Sequence, residues 1–210
     1  MGGRPGTELS AATERVVGVP LALPASFYDR PAEQVARDLL GAIVVSDLGG
    51  GRTAGRIVET EAYPGPHDPA SHAAARIGRT RRNEAMHGPP GIAYVYRIYG
   101  LHWCLNAVTG TADRPAAVLL RALEPVAGRS AMARRRGRAR DLANGPARLT
   151  QALAVDGASD GRPLTGGALR IVEGTRVTDG GVATGPRIGV TRAREWPLRF
   201  WVRGDPHVSR

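Results

Sequence analysis

Apolar positions at Val35, Leu39 and Leu40 follow Asp29-Arg30-Pro31 at the spacing of one helical face, with proline in the first turn and Gly41 as a stop. The spacing then changes to that of strands. Residues 42–46 read as one strand, Gly49-Gly50-Gly51 as a hairpin turn, and residues 56–63 as the returning strand. A regular strand has period two, so Ile57, Glu59, Glu61 and Tyr63 are expected on one face. Residues 94–99 and 101–108 alternate as two strands meeting at Gly100, with Tyr94, Tyr96 and Ile98 on one face and Val95, Arg97 and Tyr99 on the other. The apolar run 116–123 predicts a buried strand with Arg121 inside it. A buried guanidinium needs a carboxylate, and Glu61 and Glu124 are the candidates. Asn144-Gly145-Pro146 opens a second helix with Leu149 and Leu153 on one face, and shorter strands are expected at 169–173, 187–190 and 198–202. Proline and glycine crowd residues 64–69 and 88–91, so the segment between them reads as loop with short helical pieces.

No break in composition divides this pattern, and 210 residues with 42% hydrophobic content suffice for one buried core. One domain is expected over residues 23–210, behind a flexible leader at 1–22 that is rich in glycine and other small residues. The apolar stretch 16–26 is interrupted by Gly18, Pro20 and Pro24 and preceded by Glu8 and Glu14, unlike a secretory signal. No stretch has the length of a membrane-spanning helix, so no membrane partner and a cytoplasmic location, nucleoid-associated in a bacterium, are expected. Cys104 is the only cysteine, which leaves no internal disulfide, no multi-cysteine zinc site and no cysteine-ligated cluster. Lysine is absent, so a Schiff-base mechanism would have only the amino terminus as its amine.

Charge changes the picture further. The formal net charge is +10, carried by arginine alone, and four of the ten aromatics stand within residues 94–103. Arginine attracts phosphate and flat rings stack on unpaired bases, so the combination points to nucleic acid with bases out of the stack. Arginines crowd at Arg76, Arg79, Arg81 and Arg82 and again between Arg129 and Arg140. Each cluster reads as phosphate contact or as an ordinary solvated loop, and the second is dense enough in like charge to be expected disordered without a ligand. Glu59 and Glu61 are the first candidates for chemistry, since a carboxylate can activate water at a glycosidic carbon, and Arg121 would keep one ionised and oriented. Against this stands a solvated strand face. His67, Asp68 and His72 offer a metal-dependent hydrolase as another alternative, although their spacing fits no established ligand motif. Tyr99 and Leu101 flank a turn glycine, where large apolar side chains suit a wedge between base steps.

Several segments in fixed order resemble the alkyladenine (3-methyladenine) DNA glycosylase family. They are Phe27-Tyr28-Asp29-Arg30-Pro31, Gly55-Arg56-Ile57-Val58-Glu59-Thr60-Glu61-Ala62-Tyr63, Tyr94-Val95-Tyr96 through Tyr99-Gly100, Leu119-Leu120-Arg121-Ala122-Leu123-Glu124-Pro125, Gly145-Pro146-Ala147-Arg148-Leu149 and Pro197-Leu198-Arg199-Phe200-Trp201-Val202-Arg203-Gly204. The resemblance runs from Leu23 to Ser209, and Leu101-His102, Arg97 and residues 84–90 depart from the family's vertebrate form. It implies a single α+β domain with a curved antiparallel sheet, surrounding helices and a protruding DNA-inserting β-hairpin. It also implies a monomer that acts on double-stranded DNA without a cofactor or metal, flips damaged purines and hydrolyses the N-glycosidic bond. Carried over by position, Glu61 is the general base, with Arg121 and the Ile188 carbonyl holding the water. Tyr63 opposes His72 and Tyr96 across the base, Asn106 crowds the exocyclic amine of guanine, Tyr99 with Leu101 forms the wedge, and Arg81 and Arg82 contact phosphate. The remaining alternative is a non-catalytic module for single-stranded or distorted nucleic acid.

Overall fold

The computed structural model describes residues 20–111 and 114–209. The expected leader falls almost wholly on residues 1–19, outside the described residues. The helix behind Pro31 is α2 (Ala32–Asp38), preceded by the single turn α1 (Ala25–Tyr28). Gly41 takes a φ of +91°, and a Cβ there would stand 2.0 Å from the Thr175 carbonyl oxygen, so only glycine closes this turn. The strands that follow are β1 (Ile43–Ser46), β2 (Thr53–Tyr63), β3 (Ala93–Ile98), β4 (His102–Thr109) and β5 (Ala116–Ala127). Helices α3 (Arg129–Arg136) and α4 (Pro146–Leu153) come next, then β6 (Leu169–Val172), β7 (Val182–Gly185) and β8 (Arg199–Val202).

All strand pairs are antiparallel in one curled sheet of order β3-β4-β5-β2-β1-β6, with β8 paired to both β2 and β7. The result is the single mixed α+β domain that the resemblance implies. Alternation sorts the central strands into two faces. Val95, Leu105, Val118 and Leu120 join Val35, Ala36, Leu39, Met132, Leu149 and Leu153 from the helices in the main core. Tyr94, Val108 and Ala117 turn to the other face and form a smaller cluster with Ala73 and Met86. Helices therefore cover one face, and loops cover the other.

Strand β2 is not regular, which corrects the face assignment. Its register to β5 shifts between Ile57 and Glu59 and again between Glu59 and Thr60, leaving Val58 and Arg121 as the extra residues on either side. Along the same edge β2 exchanges partners: residues 53–56 pair with β1, and Glu59, Thr60 and Glu61 pair with β8. Ile57 consequently packs in the core, while Thr60 donates to the Ala36 carbonyl of α2 and Ala62 packs in the core as well. Glu59 and Glu61 turn the other way.

Two further expectations are corrected. Residues 187–190 are loop, and the strand of this region is β7, whose four residues carry one large apolar side chain. Within the arginine-dense segment 129–140, Arg129–Arg136 form helix α3. Met132 is fully buried, and the Arg135 guanidinium donates to the carbonyls of Leu48, Gly49, Gly51 and Ala152. Like charge does not unravel a helix whose Met132 is buried and one of whose arginines is consumed by tertiary contacts.

Candidate active site

The loop-covered face carries a cleft of about 250 Å³ lined by Tyr63, His72, Tyr94, Tyr96, Asn106 and Gly189, among others. Strand alternation supplies its rings: Tyr94 and Tyr96 from β3 lie 5.2 Å apart, and His72 meets Tyr96 edge to face at 4.5 Å. His72 Nδ1 is 2.8 Å from the Tyr94 hydroxyl. Burial and the nearby Arg82 hold the His72 imidazole below its usual pKa, which favours the neutral ring. Asn83, buried, donates to the carbonyls of His72 and Gly78 and so fixes the loop that brings His72 to the cleft. Asn106, also buried, donates to the Tyr94 carbonyl across the β3–β4 ladder.

Glu61 lies directly behind the Tyr63 side of this cleft with no exposed surface. Its Oε1 accepts the Ile188 backbone N–H at 2.7 Å and lies 3.1 Å from Arg121 Nη1, and its Oε2 accepts the Tyr63 hydroxyl at 3.0 Å. Burial raises its pKa, and Arg121 and the Ile188 N–H only partly offset that rise. Desolvation pulls Arg121 down, but the two glutamates outweigh it and keep the guanidinium charged. The resemblance implies a role for the Ile188 carbonyl; the contact present here is its N–H. Arg121 pairs with Glu59 as well as Glu61, whereas Glu124 pairs with Arg56.

Several contacts were not legible in the motif. Arg187 and Asp68 form a fully buried ion pair, and the Arg187 guanidinium sits 4.7 Å over the Tyr63 ring. Asp68 is thereby committed to arginine. No group of three metal-ligating side chains occurs among the described residues. Arg82 lies over the Tyr96 ring and donates to the Arg97 carbonyl, so it braces the cleft wall as well as facing outward, while Arg81 is exposed. Cys104 is buried, and burial raises its thiol pKa, as suits an interior residue. At the hairpin tip Tyr99 is 90% and Leu101 72% exposed. Tyr99 and Gly100 both have positive φ, the backbone that a tight reversal requires.

A family model for methylpurine-DNA glycosylases matches residues 26–206. The chain belongs to this family. Similar proteins, each provisionally named a 3-methyladenine DNA glycosylase, include one from Myxococcus xanthus, 50% identical over 90% of this chain and 93% of its own length. Others come from Frankia casuarinae, at 50% identity over 87% of this chain and 90% of the relative, and from Bacillus licheniformis, at 45% over 90% and 96%. Methylpurine-DNA glycosylases are hydrolases of N-glycosyl bonds in DNA, and the fold, the cleft and the basic charge of this member accord with that chemistry.

Proposed function

We propose that this glycosylase, acting as a monomer on double-stranded DNA, flips a damaged purine into the cleft between Tyr63 and the His72–Tyr96 pair. There it hydrolyses the N-glycosidic bond with a water activated by Glu61. The observation that carries this reading is the placement of Glu61: fully buried, anchored through Oε1 by Arg121 and Ile188, and joined through Oε2 to the hydroxyl of a cleft-lining ring. A base stacking on Tyr63 exchanges that hydroxyl contact for water. As the C1′–N bond breaks, its electron pair leaves with the purine, the water oxygen bonds to C1′, and Glu61 takes the proton while its charge stabilises the developing oxocarbenium ion. The chain contains no lysine, so the product is an abasic site without strand cleavage through a Schiff base.

Selectivity follows from the walls. Electron-rich rings favour a cationic alkylated adenine through a cation-π term, and damaged pairs cost less to open. Asn106 crowds the exocyclic amine of normal guanine, Tyr99 and Leu101 fill the vacated stack, and Arg81 and Arg82 contact phosphate. Duplexes carrying 3-methyladenine, hypoxanthine, ethenoadenine or no lesion, incubated with the protein and then alkali, test the reading. Freed damaged base and alkali-labile sites are expected from at least one lesion duplex and none from the undamaged control. Binding of lesion duplexes without release of any base would favour a non-catalytic module.

A further inference from the structure

The mechanism above gives no task to Glu59, the other carboxylate of β2, although it is as deeply buried as Glu61. Four donors converge on it. Its Oε1 accepts Arg121 Nε at 2.9 Å, Arg199 Nε at 2.7 Å and the Ser209 hydroxyl at 2.9 Å, and its Oε2 accepts the Ser209 backbone N–H at 2.6 Å. Arg121 is thereby held at three corners, by Glu59 at Nε, by Glu61 at Nη1 and by the Ser209 hydroxyl at Nη2, 3.3 Å away. Arg199, Glu59, Arg121 and Glu61 alternate in charge across β8, β2 and β5. Two of the three register shifts of the β2–β5 ladder lie on either side of Glu59, and the extra residue on β5 at the second is Arg121 itself.

We infer that Glu59, gripped by Arg199 and Ser209, is a positioning residue for Arg121 that keeps this arginine shared between two carboxylates and so keeps it off Glu61 Oε2, which here accepts the Tyr63 hydroxyl and takes water once a base stacks on that ring. The inference rests on the reading of Glu61 as the base. Without Glu59, the planar fork of Arg121 can turn both of its faces to Glu61, which is the preferred guanidinium–carboxylate geometry. Glu61 would then be a weaker base, its water-facing oxygen engaged. The segment that carries Ser209 is anchored at its other end as well, through Asp205 to Arg56 at 2.7 Å, so the clamp is built into the fold.

The charged or titratable groups facing Glu61 are Glu59 and Tyr63 on its own strand, Arg121 on β5, Cys104 on β4 and Arg187 on the loop, with Arg199 behind Glu59. Burial is the main cause of the raised Glu61 pKa, and Glu59 adds to that rise as the like charge. Glu59→Gln removes it and frees Arg121 for Glu61, so both changes lower the pKa of Glu61.

The test is single-turnover base release across pH, with lesion-duplex affinity and thermal melting measured on the same samples of the full chain. Glu59→Gln is expected to release base about 10- to 100-fold more slowly at unchanged affinity, the scale of loss for a misaimed catalytic group, and to move the acid limb to lower pH. Ser209→Ala keeps the backbone donor and removes two side-chain contacts. It is expected to be slowed about 3- to 10-fold with melting intact. A purely structural role would lower melting and leave the pH midpoint in place, which overturns the inference. Parent rate and midpoint in Glu59→Gln, or parent rate in Ser209→Ala should Glu59→Gln not fold, also overturns it. If Glu61→Gln itself releases base at the parent rate, the reading of the base fails instead, and the two failures are distinguishable.

Discussion

At the scale of single residues, burial decides what each charged group can do. Glu61 is placed where desolvation raises its pKa, so a mechanism that needs it ionised gains activity as pH rises through a midpoint above the ordinary carboxylate value of 4.5. A pH profile of single-turnover base release checks the sign: an acid limb is expected, and a rate that falls on passing upward through this range would oppose it. Arg135 illustrates the structural use of the same chemistry. Its five acceptors come from the β1–β2 turn, from Thr53 and from α4, so Arg135→Met should destabilise the fold by about 1–3 kcal/mol in urea unfolding, the cost of leaving such groups unpaired. The motifs that carry the family resemblance single out Glu61, Tyr63 and Arg121, which lie in contiguous patterned segments. Their spacing carries no information on Glu59's partners Arg199 and Ser209, which are 140 and 150 residues away along the chain.

At the scale of elements, alternation predicts most strands and both longer apolar helices, and it fails where the ladder is irregular. The faces of β3 come out as expected because its register to β4 is unbroken. Those of β2 do not, because a bulge is a property of two strands and has no signature in either one alone. Strand β7 is missed for a related reason: four residues with one large apolar side chain offer no period to read. The hairpin tip joins strain and exposure. Tyr99 adopts a φ of 51° that suits asparagine better than tyrosine, and its ring packs on nothing that would anchor it at 90% exposure. Tyr99→Asn is accordingly expected to melt at or above the parent temperature while losing base release from duplex DNA. A lower melting temperature would assign the ring a folding role instead.

At the scale of the whole molecule, a net charge of +10 borne by arginine governs the encounter with DNA. Duplex affinity is expected to fall linearly with salt on logarithmic axes, and Arg81→Gln to reduce that slope by about one, uniformly across sequences, as loss of a phosphate contact does. Base release should persist in excess chelator, since water is the only co-reactant of the proposed step. The central claim is that Glu61 activates this water, and it is tested most directly by single-turnover release of hypoxanthine or ethenoadenine from a duplex, comparing the parent with Glu61→Gln at separately measured affinity. The account predicts that the variant binds the lesion duplex as tightly and releases base at least about 10²-fold more slowly, the lower bound for loss of a general base. Release at the parent rate would contradict it.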